Sequence, residues 1–316
     1  MANAFRFSTN MPALTGSMAN WRDKLRRIEE LGYWSVAVSD HFTAGWKMEP
    51  VVAMTAALEA TTTLRVIPLV LANDYRHPVM LHKSMATLDV LSEGRVEIGL
   101  GAGWMESDYQ AANMPYDPAP VRIERMGESV EVIKGLFGAE PFSYAGKHYR
   151  ITELDGLPKP VQQPHPEILI GGGSRRVLEL AGASADIVGI NPVMRRDRAD
   201  GLALLDLTAE GVARKVAIAR TAAVAAGRDP DTLRYHTSIR SLHITDVPGS
   251  ERWVSSMATD VTDPAVLADS PAVLHGSVAS CVEQLRQSRD EFGLDYFHMG
   301  GDPLAAAPVV ARLSGS

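Results

Sequence analysis

Residues 76–104, RHPVMLHKSMATLDVLSEGRVEIGLGAGW, constrain the fold more than any other part of this chain. A helix-periodic stretch begins at His77-Pro78 and runs to Leu91, a Ser-Glu-Gly-Arg turn follows, and an apolar run from Val96 to Leu100 ends on Gly101 and Gly103. Proline suits a first helical turn, where the N–H it lacks would have no helical partner. Helix, turn, buried strand and glycine loop in that order make one α-to-β step of a parallel sheet. Glycines just past the strand let another group approach the backbone closely.

The same alternation recurs along the chain. Short apolar, β-branched runs predict strands at 5–8, 35–39, 64–71, 96–100, 167–170, 187–190, 235–244 and 296–299. Apolar residues at helical spacing predict helices at 17–31, 50–60, 77–91, 122–136, 174–182, 208–226 and 277–292. About eight strand–helix alternations with no break between them predict a single domain over 1–316, an α/β (β/α)8 TIM barrel. At about 138–166 the periodicity lapses, prolines cluster and 142–149 has the look of a hairpin, which predicts an insertion between barrel units. Residues 251–268 read as acidic and irregular. An open doubly wound sheet is the alternative, weakened by the lack of Gly-x-Gly-x-x-Gly after the first strand.

Composition narrows the function classes. A net charge of −7 argues against a nucleic-acid binder, which needs a basic face. The single cysteine, Cys281, excludes an internal disulfide, and its place in a helical pattern predicts a buried structural thiol. No apolar run reaches the ~18 residues of a membrane span, and the N-terminus lacks a basic stretch followed by an apolar one, so a cytoplasmic location is expected.

In a barrel of this kind, chemistry gathers where strands end. The residues just past the predicted strands are Asp40 and His41; Ala72, Asn73 and Asp74; Gly101, Gly103 and Trp104; Gly171 to Arg175; Asn191; and Gly300, Gly301 and Asp302. Gly171-Gly172-Gly173-Ser174 precedes a helix, whose exposed N–H groups attract anions, with Arg175 and Arg176 adding charge. A tight turn with a serine cap explains the same residues. His41 is either a proton carrier or a histidine packed at a strand end. Asp40 points the other way along the strand and orients the loop. Trp46 and Trp104 either cover a flat ring or pack as a lid. His77 caps its helix, and Arg95, at the opposite end of the barrel, is structural and expected in an ion pair. No His/Asp/Glu set has metal-ligand spacing, and no Gly-x-Ser-x-Gly elbow occurs.

Taken in order, several motifs resemble the bacterial luciferase-like monooxygenase superfamily. They are Glu30-Leu31-Gly32-Tyr33 leading to Ser39-Asp40-His41-Phe42; Arg76-His77-Pro78; residues 88–95, LDVLSEGR; residues 99–104, GLGAGW; and Pro160-Val161-Gln162 ahead of Ile170-Gly171-Gly172-Gly173. The resemblance covers residues 5–195 well and the C-terminal third weakly. It implies a TIM barrel with an insertion that binds coenzyme F420, or alternatively FMN, in the barrel mouth. Asp40-His41 and the run 71–78, LANDYRHP, point to the F420-dependent branch. There the strand-two histidine lies at the hydride-transfer centre, which implies a catalytic role for His41.

The resemblance also implies a non-proline cis peptide near Leu69-Val70-Leu71. The implied cofactor-binding set is Asp40, His41, Leu69, Val70, Ala72, Asn73, Gly103, Trp104, Gly171, Gly172, Gly173, Ser174 and Asn191, with Trp46 and Trp104 toward substrate. One departure stands out: F420-dependent sugar-phosphate dehydrogenases carry a glutamate acid where this chain has Trp104, and Glu106 lies two residues further on. The expected function is an F420-dependent reductase or dehydrogenase that moves a hydride between the deazaflavin and a small organic substrate. A deazaflavin lacks the ring nitrogen needed for flavin oxygen chemistry. The alternatives are a two-component FMN-dependent monooxygenase and a non-catalytic barrel homologue. A homodimer is expected, with an F420- or flavin-reducing enzyme as a possible partner.

Overall fold

The computed structural model describes residues 3–43, 45–194, 205–249, 252–253 and 269–316. Its centre is a parallel barrel built from strands β1 (Arg6–Asn10), β2 (Ser35–Val38), β3 (Arg65–Pro68, resuming at Leu71–Ala72), β4 (Ile98–Gly101), β5 (Ile168–Gly172), β6 (Ile187–Ile190), β7 (Arg234–Ser238) and β8 (Leu294–His298). Each strand pairs with its neighbours in sequence, and β8 returns to β1 through Arg6↔Tyr296 and Phe7↔Phe297. β3 is interrupted by a cis Leu69–Val70 peptide, within the segment where the resemblance implies one. Its first half pairs with β2 and meets Val96 across a bridge, and its second half pairs with β4, which closes the ring.

Helices α1 (Met18–Glu30), α2 (Pro50–Ala60), α3 (Pro78–Leu91), α4 (Ala119–Phe137), α5 (Arg175–Ser184), α6 (Ala209–Ala225), α7 (Val278–Phe292) and α8 (Pro303–Leu313) follow the strands in turn. Local chemistry fixes their ends. The side chains of Ser17, Glu49, His77, Ser174, Thr208, Ser277 and Asp302 each accept a bond from a first-turn N–H. Gly293 ends α7 in the left-handed conformation that glycine adopts without Cβ strain. The helices bury one face against the strands, as Trp21, Leu25 and Ile28 do from α1. Cys281 is buried in α7, as expected, and burial pushes its thiol up to about 11.

A polar layer lies inside the barrel toward the amino ends of the strands. Buried Glu97 accepts hydrogen bonds from Trp34 Nε1 at 2.7 Å and Tyr296 Oη at 2.8 Å, with Arg6 Nη1 at 3.5 Å. Ala37, Ile67, Leu169 and Ile187 pack around Tyr296. Side chains therefore fill this end, and the large cavity lies at the other. Arg95 sits on the plugged side, as expected, but its partner is not a carboxylate. It donates to the carbonyls of Ser92, Leu64 and Leu58 at 3.0–3.1 Å and so ties the α3–β4 turn to the end of α2.

Three departures from the sequence reading have physical causes. The run read as one strand over 235–244 is two: β7 ends at Ser238, and Ser241–Ile244 joins a separate sheet beside Arg252–Trp253 and Val273–Gly276. Alternating β-branched residues do not mark where a chain crosses from one sheet to another. Glu106–Ala111 and α8 were not predicted; the first is too short to show a period, and Pro308 interrupts the pattern of the second. The insertion holds the hairpin Phe142–Ala145/Arg150–Leu154, fastened by Glu128 of α4, which accepts the N–H groups of Lys147, His148 and Tyr149. Residues 251–268 lie outside the described residues apart from 252–253. No helix among the described residues is long and apolar enough to cross a membrane.

Candidate active site

The open end of the barrel holds a cavity of about 610 Å3. One wall is the interrupted strand, with Leu69, Val70 and Ala72. Gly101 and Gly171 flank Val70: a Cβ on Gly101 would lie 2.6 Å from Val70 Cγ2, and one on Gly171 3.2 Å from Val70 Cγ1. Val70 thus occupies space that side chains on β4 and β5 would otherwise fill.

Asp40 and His41 follow just past the end of β2 and, although both line the cavity, meet different partners. Asp40 is buried; it accepts from Arg76 Nη1 at 2.5 Å, Arg76 Nη2 at 3.1 Å and the Ala72 N–H at 3.1 Å. It lines the cavity, but its carboxylate is committed to holding the strand-three loop. His41 Nδ1 lies 2.7 Å from Asp108 Oδ2, and its ring contacts Trp46 at 5.4 Å and Trp104, edge-on, at 5.8 Å. Both tryptophans line the cavity, so the two expected for a flat ring flank the same imidazole.

Asp108 is one of the residues that sequence reasoning missed, with His236, Arg240 and His298. Its Oδ1 accepts the N–H groups of Phe42 at 3.1 Å and Thr43 at 2.8 Å and the Thr43 hydroxyl at 2.6 Å, while Oδ2 accepts Tyr75 Oη at 3.3 Å beside His41. Burial works against its charge, but the hydrogen bonds from Thr43 and His41 outweigh it and hold the carboxyl below its usual range. The signal was an acidic residue one turn past Trp104, in a helix too short to be read.

The glycine-rich elements are positioned by cations. Arg122 donates to the carbonyls of Ala102 and Gly103 and to the Tyr116 hydroxyl, which fixes the loop after β4. Gly103 has φ +72°, a conformation that side chains disfavour. Lys215 Nζ donates to the Gly173 carbonyl at 2.8 Å and pairs with Asp206 at 2.6 Å. Gly171, Gly172, Gly173 and Ser174 line the cavity. Two of these glycines are explained by packing: a Cβ on Gly172 would lie 2.5 Å from Val177 Cγ1, and one on Gly173 would strike the Asn191 carbonyl.

Arg175 pairs with Glu179 at 2.8 Å on the exposed face of α5, and neither Arg175 nor Arg176 lines the cavity. The cation beside Asn191 is instead Arg240, whose Nη2 donates to Asn191 Oδ1 at 3.2 Å. His236 and His298, from β7 and β8, complete the far wall. Asn73 is buried in the 3-10 turn Asn73–Tyr75 and does not line the cavity, unlike the other residues of the expected set.

Comparison with known proteins agrees with this architecture. The luciferase-like monooxygenase family model matches residues 4–296. Over 203 residues the chain is 30% identical to an FMNH(2)-dependent dimethylsulfone monooxygenase of Pseudomonas putida, covering 59% of this chain and 56% of that protein. Over 167 residues it is 29% identical to an F420-dependent glucose-6-phosphate dehydrogenase of Amycolatopsis mediterranei, covering 51% and 49%. The chain thus spans about half the length of each of these relatives. Two solved structures share the fold across nearly the whole chain. An F420-dependent secondary alcohol dehydrogenase in complex with an F420-acetone adduct superposes with a TM-score of 0.76 at 15% identity, covering 98% of each chain. A monooxygenase from Streptomyces bottropensis superposes with a TM-score of 0.73 at 23% identity, covering 98% of this chain and 97% of that one. With the match running over nearly all of the barrel, the chain belongs to the luciferase-like monooxygenase family.

Proposed function

We propose that this chain is an F420-dependent oxidoreductase that moves a hydride to or from a small organic substrate. The observation that carries the proposal is the His41–Asp108 pair, 2.7 Å apart at the wall of the cavity. The cavity fits a tricyclic ring with a phosphorylated tail in size, since ligand sites of this kind run to about 300–1,000 Å3. Its wall offers apolar contact at Val70 and a polar turn at Gly173-Ser174. Bound there, the deazaflavin supplies a carbon centre that accepts or donates a hydride.

The chain's own residues handle the proton. With Nδ1 on Asp108, His41 keeps Nε2 as the nitrogen that faces the cavity. In the oxidising direction Nε2 takes the proton of a substrate hydroxyl as the hydride leaves the same carbon; in the reducing direction it returns that proton to a carbonyl oxygen. Asp108 holds the tautomer and balances the imidazolium. Asp40 serves as no rival base, because Arg76 neutralises it. Trp46 and Trp104 cover the imidazole and limit water around it.

The FMNH(2)-dependent relative favours a second reading, a monooxygenase fed with reduced FMN. Titration of the purified chain with F420 and with FMN, followed by tryptophan fluorescence, separates the two. Tighter binding of F420 is expected. Binding of FMN with no affinity for F420 overturns the proposal in favour of the monooxygenase.

A further inference from the structure

Across the barrel from Val70, the ends of β7 and β8 carry polar groups that the His41–Asp108 pair does not engage. His236 is only 2% exposed, lines the cavity, and among the described residues has no partner at either ring nitrogen. Buried imidazoles are ordinarily satisfied, so two orphaned nitrogens in a cavity wall mark a missing group. Arg240 follows two residues after β7. Its Nη2 reaches Asn191 Oδ1 at 3.2 Å, while its Nε is buried without a partner.

Among the described residues no carboxylate lies within ion-pair distance of Arg240. Burial lowers its guanidinium to about 10, which still leaves it charged at neutral pH. The other charged groups of the wall are already engaged: Asp40 by Arg76, and Arg122 by backbone carbonyls. His298 holds Ser8 Oγ at 3.0 Å and Asn10 Oδ1 at 3.1 Å. Among the described residues, this side of the cavity therefore holds a cation with no counterion and an unpartnered imidazole. A buried charge without a partner is costly, and a guanidinium fork matches a planar or tetrahedral oxyanion.

We infer that the substrate carries an anionic oxygen group, a carboxylate or sulfonate, received by Arg240 and His236. This rests on the proposed function only in calling the ligand a substrate. A cofactor phosphate is the other source of such an anion, since Asn191 joins Arg240 to the glycine turn. His236 favours the substrate: it lies within the strand and contacts Tyr296 at 5.1 Å inside the barrel, whereas Ser174 begins the helix outside it.

The test uses an isosteric pair, benzoate and benzamide, titrated into the purified full chain and followed by tryptophan fluorescence, with F420 and FMN titrated separately. Benzoate is expected to bind at least tenfold more tightly than benzamide. Arg240→Gln is expected to abolish that preference and Arg240→Lys to retain part of it, with cofactor affinity in both variants within twofold of the parent. Equal affinity for the pair, or none for either, overturns the inference without any variant. It is also overturned if Arg240→Gln weakens cofactor tenfold while the benzoate preference persists, since the guanidinium then serves the cofactor phosphate. Failure of both cofactors to bind counts against the proposed function and leaves the benzoate comparison readable.

Discussion

Replacing Asp108 by asparagine tests the core of the site with almost no change in shape. The amide has one oxygen and one NH2 where the carboxylate has two acceptors. The Oδ1 position faces two backbone N–H groups, of Phe42 and Thr43, which cannot turn round. The NH2 must therefore take the Oδ2 position, facing His41 Nδ1 and the Tyr75 hydroxyl, both of which can switch from donor to acceptor. His41 then carries its proton on Nε2, and the nitrogen facing the cavity can no longer act as a base. Positioned acid–base catalysis contributes about 10²–10⁴-fold, so turnover is expected to fall at least ~100-fold. Charge-assisted hydrogen bonds contribute about 1.5–3 kcal/mol and neutral ones about 1 kcal/mol, so stability is expected to fall by about 1–3 kcal/mol. Nitrogen-15 NMR of the imidazole reads the tautomer without any substrate, and a purely structural role for Asp108 would leave it unmoved. The reasoning is refuted if His41 in folded Asp108→Asn keeps the parent tautomer, or if turnover persists after the tautomer has changed.

Further expectations concern the scaffold. Gly101→Ala should lower stability by about 1–3 kcal/mol, because its Cβ would lie 2.6 Å from Val70 Cγ2; Gly171→Ala, at 3.2 Å, should lower it less, and thermal melts of the two variants check the order. Arg95→Ala should cost about 2–4 kcal/mol, since the carbonyls of Leu58, Leu64 and Ser92 lose their donor, while cofactor affinity stays unchanged; a parental melting temperature contradicts this. Glu29 accepts the N–H groups of Thr62, Thr63 and Leu64; burial opposes its charge, but these bonds outweigh it and lower the carboxyl from 4.5 to about 2. Its contribution to stability is thus present above about pH 4.5 and lost as pH falls toward 2. Denaturant melts from pH 5 to pH 2 should show Glu29→Gln less acid-sensitive than the parent over that range.

Much of the barrel was legible because its signals are local. Pro50 and Pro78 open helices, Ser17, Ser174 and Ser277 cap them, and short β-branched runs between them can bury themselves only as strands of a parallel sheet. Asp40 and His41 were legible as a pair just past β2, but their different partners, Arg76 and Asp108, were not. Glycines were legible as positions and illegible as causes. Gly101 yields to Val70 and Gly173 to Asn191, contacts that join residues distant in sequence, and Gly172 yields to Val177 in the first turn of the helix that follows it.

The sequence by itself determined the fold class and the order of the eight barrel strands and of the helices between them. It did so because caps, periodicity and strand alternation act over a few residues. Only the tertiary structure decided which side chains meet: Asp108 behind His41, Arg240 beside Asn191, and His236 against Tyr296. Those groups come from elements far apart along the chain. Their pairing depends on how strands around a closed ring aim their ends, and no local pattern records that.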